Sequence, residues 1–210
     1  VRNIAALGSA VRLISVVGND EPGRSVENLL RVQDNLSAKL VFEKDRLTTV
    51  KSRYLAARQQ LLRADREVTT PVTENTSNAI VSAVRKELLK SNGVLVLSDY
   101  GKGVLGADLI GILIDMAMQN DTKVIIDPKG KLFDIYRGAD LITPNLKELS
   151  RASGMPVNCD SEVVAAARNI IQNAGVKAVL ATRSEQGMSL VTMEEATHLR
   201  ARAREVFDVS

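Results

Sequence analysis

The sequence has no tryptophan, one cysteine (Cys159), one histidine (His198) and only three tyrosines and three phenylalanines. A lone cysteine excludes an internal disulfide and fits a reducing cytoplasm. A lone histidine excludes a multi-histidine metal site and reads as a surface residue. With few aromatics to stack bases, and 28 Lys and Arg interspersed with 25 Asp and Glu for a formal charge of +3, the concentrated basic surface that nucleic acid requires is missing. No apolar run approaches the roughly 18 residues of a spanning helix, so no membrane partner is expected. No signal peptide is visible in these residues, and no repeat array is indicated. The chain opens on a helix-like segment, Val1 to Gly8, which reads as lacking its true beginning.

What is present is an alternation of short apolar runs and amphipathic segments. Leu13 to Val17 reads as a strand, Gly18 to Gly23 as a turn and Ser25 to Val32 as a helix, which makes one βα unit. Lys39 to Val68 differs. Val50 to Leu55 alternates with period two, and Gln60 to Arg63 is its hairpin partner after a turn near Ala57 and Arg58, so the section is read as an antiparallel ribbon. Thr69 to Ser77 breaks the pattern ahead of a helix carrying Ile80, Val81, Val84 and Leu88. Asn75-Thr76-Ser77, although sequon-like, reads as its polar lead-in and cap.

From Val94 onward, strands at Val94–Leu97, Val124–Ile126, just before Thr143 and at Val179–Leu180 alternate with helices at Ala107–Gln119, Leu146–Ser153 and Ser161–Asn173. Continuously apolar strands joined by right-handed crossovers predict an α/β fold, a mostly parallel sheet with helices on both faces. Glu205 to Ser210 reads as one more strand leading onward.

Every predicted parallel strand ends in polar residues: Ser98-Asp99, Asp127, Thr143 to Asn145, and Thr182-Arg183-Ser184. In open α/β sheets ligands bind outside the carboxyl ends of the strands, so these endings mark one site. Asn145 and Glu148 stand one helical turn apart at a helix start, where free amides favour anions and a carboxylate can hold Mg²⁺, through water, for a nucleotide phosphate. The same spacing is that of a capping box, and both readings stand. Asp99 and Lys102 lie with two glycines in a turn suited to a polar ligand, and Asp127-Pro128-Lys129-Gly130 repeats the theme; each also reads as an ordinary turn.

Taken together, Leu97 to Gly103, Ile126 to Gly130, Tyr136 to Ala139, Leu141 to Leu146 with Glu148, and Thr182 to Ser189 make the chain resemble the ribokinase-like (PfkB) carbohydrate kinases. More narrowly, it resembles the heptose 7-phosphate kinase domain of bifunctional enzymes of ADP-heptose synthesis. The resemblance implies a cytoplasmic kinase using ATP and Mg²⁺, with Asn145, Leu146, Lys147 and Glu148 on the phosphates and metal and Thr182, Ser184 and Gly187 lining the nucleotide. It makes residues 39–68 a β-clasp lid that pairs with its copy in a homodimer. Lys51, Arg53 and Arg63 are candidates there for a sugar phosphate, beside their reading as solvated strand charges. Asp99, Lys102, Asp127 and Lys129 are substrate candidates.

The resemblance also implies a Gly-Ala-Gly-Asp segment supplying the catalytic base, and no such segment occurs in the 210 residues. It is expected after Ser210, with a sugar-binding glycine segment before Val1, so these residues correspond to a partial kinase domain inactive alone. Two further readings remain: a ribokinase-like kinase for another sugar, and a noncatalytic nucleotide- or sugar-binding module.

Overall fold

The structure, a computed structural model, describes residues 1–33, 35–57, 59–90 and 93–201. Arg58, in the expected hairpin turn, and the expected strand at Glu205 to Ser210 lie outside the described residues. Two compact units emerge, one from residues 1–91 and 102–109, the other from 92–101 and 110–210.

In the first unit, a short helix α1 (Arg2–Ala6) precedes β1 (Val11–Gly18), α2 (Glu21–Arg31) and β2 (Leu36–Glu43). Helix α2 starts four residues earlier than its apolar spacing implies. Asp20 caps it by accepting from the Gly23 N–H at 2.9 Å, and Pro22 suits the first turn. The same carboxylate accepts from the Thr48 hydroxyl and N–H, and these hydrogen bonds hold its pKa down against the opposing effect of burial. Strand β2 pairs in parallel with β1 from Leu36 to Glu43, so residues 39–43, expected in the ribbon, belong to this sheet.

The antiparallel ribbon itself is β3 (Val50–Ala56) with β4 (Gln59–Arg66), a pair that forms a separate two-stranded sheet. Helix α3 (Glu74–Leu88) is capped by Thr73, not by the Asn75-Thr76-Ser77 segment, which lies inside its first turns. It buries Thr76, Ile80 and Val84.

The second unit contains β5 (Val94–Ser98), α4 (Ala107–Gln119, its first three residues counted with the first unit), β6 (Lys123–Asp127), β7 (Leu141–Ile142), α5 (Leu146–Ser153), α6 (Asp160–Ala174), β8 (Val179–Thr182), β9 (Met188–Val191) and β10 (Ala196–Leu199). The sheet runs β10-β9-β8-β7-β6-β5, parallel from β5 to β8 and antiparallel beyond. This is the α/β, mostly parallel arrangement expected. Its core joins Val124 and Ile126 of β6, Ile142, Val179 and Val191 to Val163, Ala166 and Ala167 of α6, all fully buried. One strand departs from expectation: β5 stands at the end of the described sheet, and Val94 and Val96 are 55% and 48% exposed. Its apolar run therefore does not mean burial on both faces.

Candidate functional site

Register brings the strand endings level. Ser98 pairs with Asp127, Ile126 with Ile142 and Ile142 with Val179, so Asp99, Asp127, Thr143 and Thr182 emerge along one edge of parallel strands. A bridge between Asn145 and Thr182, with the Thr182 N–H donating to the Pro144 carbonyl at 2.9 Å, fixes the start of α5 against the end of β8. These endings enclose a cavity of about 510 Å³ lined by Asp99, Asp127, Lys129, Asn145, Glu148 and Thr182, together with Tyr100, Pro128 and Thr143.

Helix α5 begins where it does because of its cap. The Glu148 N–H donates to Asn145 Oδ1 at 2.9 Å, and the Asn145 N–H donates to Glu148 Oε2 at 3.1 Å, a complete capping box. The capping reading of these residues is thus realised, and it leaves Glu148 Oε1 for another partner. That partner is the Lys129 ammonium at 2.9 Å. The Glu148 side chain is only 12% exposed, whereas that of Lys129 is 55% exposed.

Asp99 is buried, and both its oxygens already accept: Oδ1 from the Gly101 N–H at 2.8 Å and Oδ2 from the Tyr136 hydroxyl at 2.8 Å. Tyr136 is fully buried in a 3₁₀ turn, and its hydroxyl also accepts from the Lys129 N–H at 3.0 Å. Burial pushes this phenol far above its usual range, and the charges of Asp99 and Asp127 add to the effect, so it stays a neutral donor. Tyr136 thereby ties the turn after β5 to the turn after β6. Its role was invisible in the sequence, because a lone aromatic between strands carries no periodicity.

The cavity is short of positive charge. Asp127 ends β6 with its carboxyl pKa raised, by partial desolvation first, then by the charges of Glu148 and Asp99, with Lys129 opposing. Three carboxylates and one ammonium line the space. Among the described residues no group of three or more His, Cys, Asp or Glu forms a metal cage. Such a lining suits a cation that brings its own phosphate and water ligands, as Mg²⁺ does with one or two carboxylates.

The remaining candidates lie elsewhere. Leu146 and Lys147 occupy the first turn of α5 without lining the cavity, and Lys147 is exposed. Ser184 and Gly187 form the turn after β8, also outside the lining. Gly187 has φ +96, and a Cβ there would fall 2.0 Å from the Leu199 carbonyl, so close backbone passage alone demands glycine. Arg183 is buried beside this turn, donating to Ser189 Oγ and Gln186 and paired with Asp160; the exposed His198 bonds to the same Ser189 hydroxyl.

Within the first unit, Lys102 pairs with Glu67. Lys51 pairs with Asp65 and Glu67, and Arg63 with Asp65, as strand charges do. Arg53 lies directly opposite Arg63 in the ribbon. No described helix is long and apolar enough to cross a membrane.

Comparison with known proteins bears on this geometry. The model of the pfkB family carbohydrate kinases matches residues 1–210. The bifunctional protein HldE of Paramagnetospirillum magneticum is 47% identical over 211 residues, covering all of this chain and 43% of the relative. That of Rhodospirillum rubrum is 44% identical, covering all of this chain and 42% of its own length. The chain therefore spans less than half the length of these curated relatives. Among solved structures, phosphofructokinase-2 from Escherichia coli in complex with potassium superposes with a TM-score of 0.80 over 97% of this chain and 65% of its own, at 22% identity. Arabidopsis thaliana ribokinase complexed with ribose and ATP gives 0.68 over 100% of this chain and 68% of its own, at 18% identity. At such identities these likenesses show a shared fold.

Proposed function

The chain belongs to the pfkB family of carbohydrate kinases, and from that premise we propose that it forms the nucleotide-binding part of a kinase acting on D-glycero-D-manno-heptose 7-phosphate. The reaction moves the γ-phosphoryl group of ATP to the anomeric hydroxyl, giving the 1,7-bisphosphate for ADP-heptose and lipopolysaccharide core synthesis. The nucleotide part of this reading is carried by Glu148, held in a capping box at the sheet edge and paired with the Lys129 ammonium, and the heptose part by the likeness to the bifunctional HldE proteins.

Phosphoryl transfer asks for positioning and charge neutralisation more than covalent chemistry. Asn145 and Glu148 would hold the metal and phosphates, and Asp127 adds a second carboxylate to the same cavity. Bound Mg²⁺ supplies neutralisation of the phosphate charge. Lys129 supplies a mobile positive charge, and Thr182 a hydroxyl beside the nucleotide. Leu146 and Lys147 offer first-turn amides, with Ser184 and Gly187 as the neighbouring nucleotide turn.

The proton on the attacking hydroxyl needs a base that the 210 residues do not supply in a Gly-Ala-Gly-Asp setting. The chain by itself should therefore bind nucleotide without turnover. In the ribbon, which we read as a lid, Arg53 and Arg63 face each other across β3 and β4. Arg63 is already paired with Asp65 on its own strand, and the two guanidiniums stay on this reading as candidate contacts for a sugar phosphate. Tyr54, Leu55, Leu61 and Leu62 of the same ribbon are all more than half exposed, which supports pairing with a second copy. The exposed thiol of Cys159 suits a cytoplasmic setting.

The test is a hybrid in which these residues replace their counterpart in the P. magneticum relative, assayed for ADP release on a panel of sugar phosphates. Turnover confined to heptose 7-phosphate supports the proposal. Preference for another sugar leaves the kinase and removes the heptose. Silence on every sugar, with nucleotide still bound, favours a binding module.

A further inference from the structure

The cavity at the sheet edge contains an arrangement that the family assignment does not explain. Its one ammonium is spent on Glu148, the carboxylate that the proposed function gives to the metal. Glu148 Oε2 accepts from the Asn145 N–H, and Lys129 Nζ lies 2.9 Å from Oε1, the oxygen turned away from the cap. A carboxylate only 12% exposed is costly to leave unpaired, and the Lys129 ammonium meets that need. We infer that Lys129 is an exchangeable counter-cation. It neutralises Glu148 in the nucleotide-free protein, yields that oxygen when a metal-bearing nucleotide enters, and then pairs with the incoming phosphate. The inference rests on the reading of Glu148 as the metal-bearing residue.

Three observations make exchange mechanically feasible. The Lys129 backbone is pinned, its N–H donating to the Tyr136 hydroxyl at 3.0 Å while its carbonyl lies 3.1 Å from the same oxygen, and Pro128 before it is fully buried. The side chain beyond that anchor is 55% exposed, so the flexible four-carbon stem moves while the loop stays still. The charge balance also requires a second cation. Asp99, Asp127 and Glu148 outnumber the ammonium, and a polyphosphate enters such a lining only with a metal beside it. Once the metal takes Glu148, the freed ammonium has a phosphate within the same cavity as its new partner.

This account separates two affinities that a purely structural ion pair would not. Removing the lysine exposes Glu148 to bare metal, so Lys129→Met should bind Mn²⁺ without nucleotide more tightly than the wild type. The gain is about fivefold, the upper end for a partly exposed pair. The same variant should bind Mn²⁺ with a nonhydrolysable ATP analogue several-fold more weakly, because the phosphate has lost its ammonium. Lys129→Arg keeps a cation and should stay near the wild type in bare-metal affinity.

Free Mn²⁺ is measured by its paramagnetic resonance signal on the 210-residue chain and its variants, and analogue binding by calorimetry. Equal bare-metal affinity in Lys129→Met and wild type, with Glu148→Gln still weakening the metal-analogue complex, overturns the exchange and leaves the site reading intact. If Glu148→Gln changes neither affinity, the metal reading of Glu148 fails and the inference falls with it. Matching thermal melts for wild type and Lys129→Met ensure that the comparison is made on folded protein.

Discussion

Replacing Tyr136 by Phe tests whether the site is braced by one hydroxyl. The ring is fully buried, so Phe fills the same space and the substitution removes only the oxygen. Two groups lose a partner: Asp99 Oδ2, which accepts at 2.8 Å, and the Lys129 N–H, which donates at 3.0 Å. A hydrogen bond to a charged acceptor contributes about 1.5–3 kcal/mol, and a buried donor left unsatisfied costs about 1–3 kcal/mol. The adjoining cavity lets water recover part of the second loss, so the expected destabilisation is about 2–3 kcal/mol.

For a protein of this size that corresponds to a fall in Tm of roughly 5–10 °C. Urea unfolding followed by two probes should show a lower midpoint at unchanged m, and the probes must coincide for the free energy to be meaningful. Combining Tyr136→Phe with Asp99→Asn should cost less than the sum of the two, with a coupling of about 1 kcal/mol or more. A single-variant loss below about 0.5 kcal/mol, or strict additivity, would refute the bracing role.

Three further outcomes follow from the same structure. Burial tends to raise the Asp140 pKa, but hydrogen bonds from the Lys177 ammonium, the Val124 N–H and Lys123 outweigh it, so the folded pKa lies below the unfolded one. Its stabilisation is present above about pH 4 and is lost as pH falls through the folded value. Asp140→Asn should therefore cost about 1–2 kcal/mol at pH 7, with the gap closing in acid in a urea series across pH. For Asp127 the sign reverses, because a raised carboxyl pKa costs stability that is absent below about pH 4 and fully felt above the folded value. Asp127→Asn should raise Tm slightly at pH 7, by a gain that the residue's exposure to solvent keeps small and that disappears at low pH, while weakening metal-nucleotide binding. On the proposed pairing through the ribbon, the chain should scatter light as a dimer and Leu62→Asp as a monomer; a wild-type monomer, or an unchanged dimer mass in the variant, would remove the ribbon as the contact.

How much was legible in the sequence can be argued from particular residues. Helix α5 was read to its ends, and its start is marked by a local signal, Asn145 with Glu148. Six of the strand-end candidates meet in one cavity because parallel strands in register must end at one edge. Reading erred where partners are distant in sequence. Whether residues 39–43 join the ribbon or pair with β1 is decided by a register no local pattern reveals. The start of α2 depends on Asp20 as cap, and that carboxylate is also held by Thr48, 28 positions away. The clamp formed by Tyr136 on Asp99 spans 37 positions and left no trace in periodicity. Lys102 was read with Asp99 in a turn suited to a polar ligand, and its pairing with Glu67, 35 positions earlier, left no local signal.

The central claim is that the sheet edge around Glu148 binds a metal-bearing nucleotide, and calorimetry tests it most directly. Titrating a nonhydrolysable ATP analogue into the 210-residue chain, with and without Mg²⁺, and repeating it with Glu148→Gln, gives four isotherms. The account predicts saturable binding that Mg²⁺ strengthens in the wild type, and that Glu148→Gln weakens about tenfold or more with Mg²⁺ but little without it. No saturable binding to the folded chain, or a Mg²⁺ effect equal in both proteins, would contradict it.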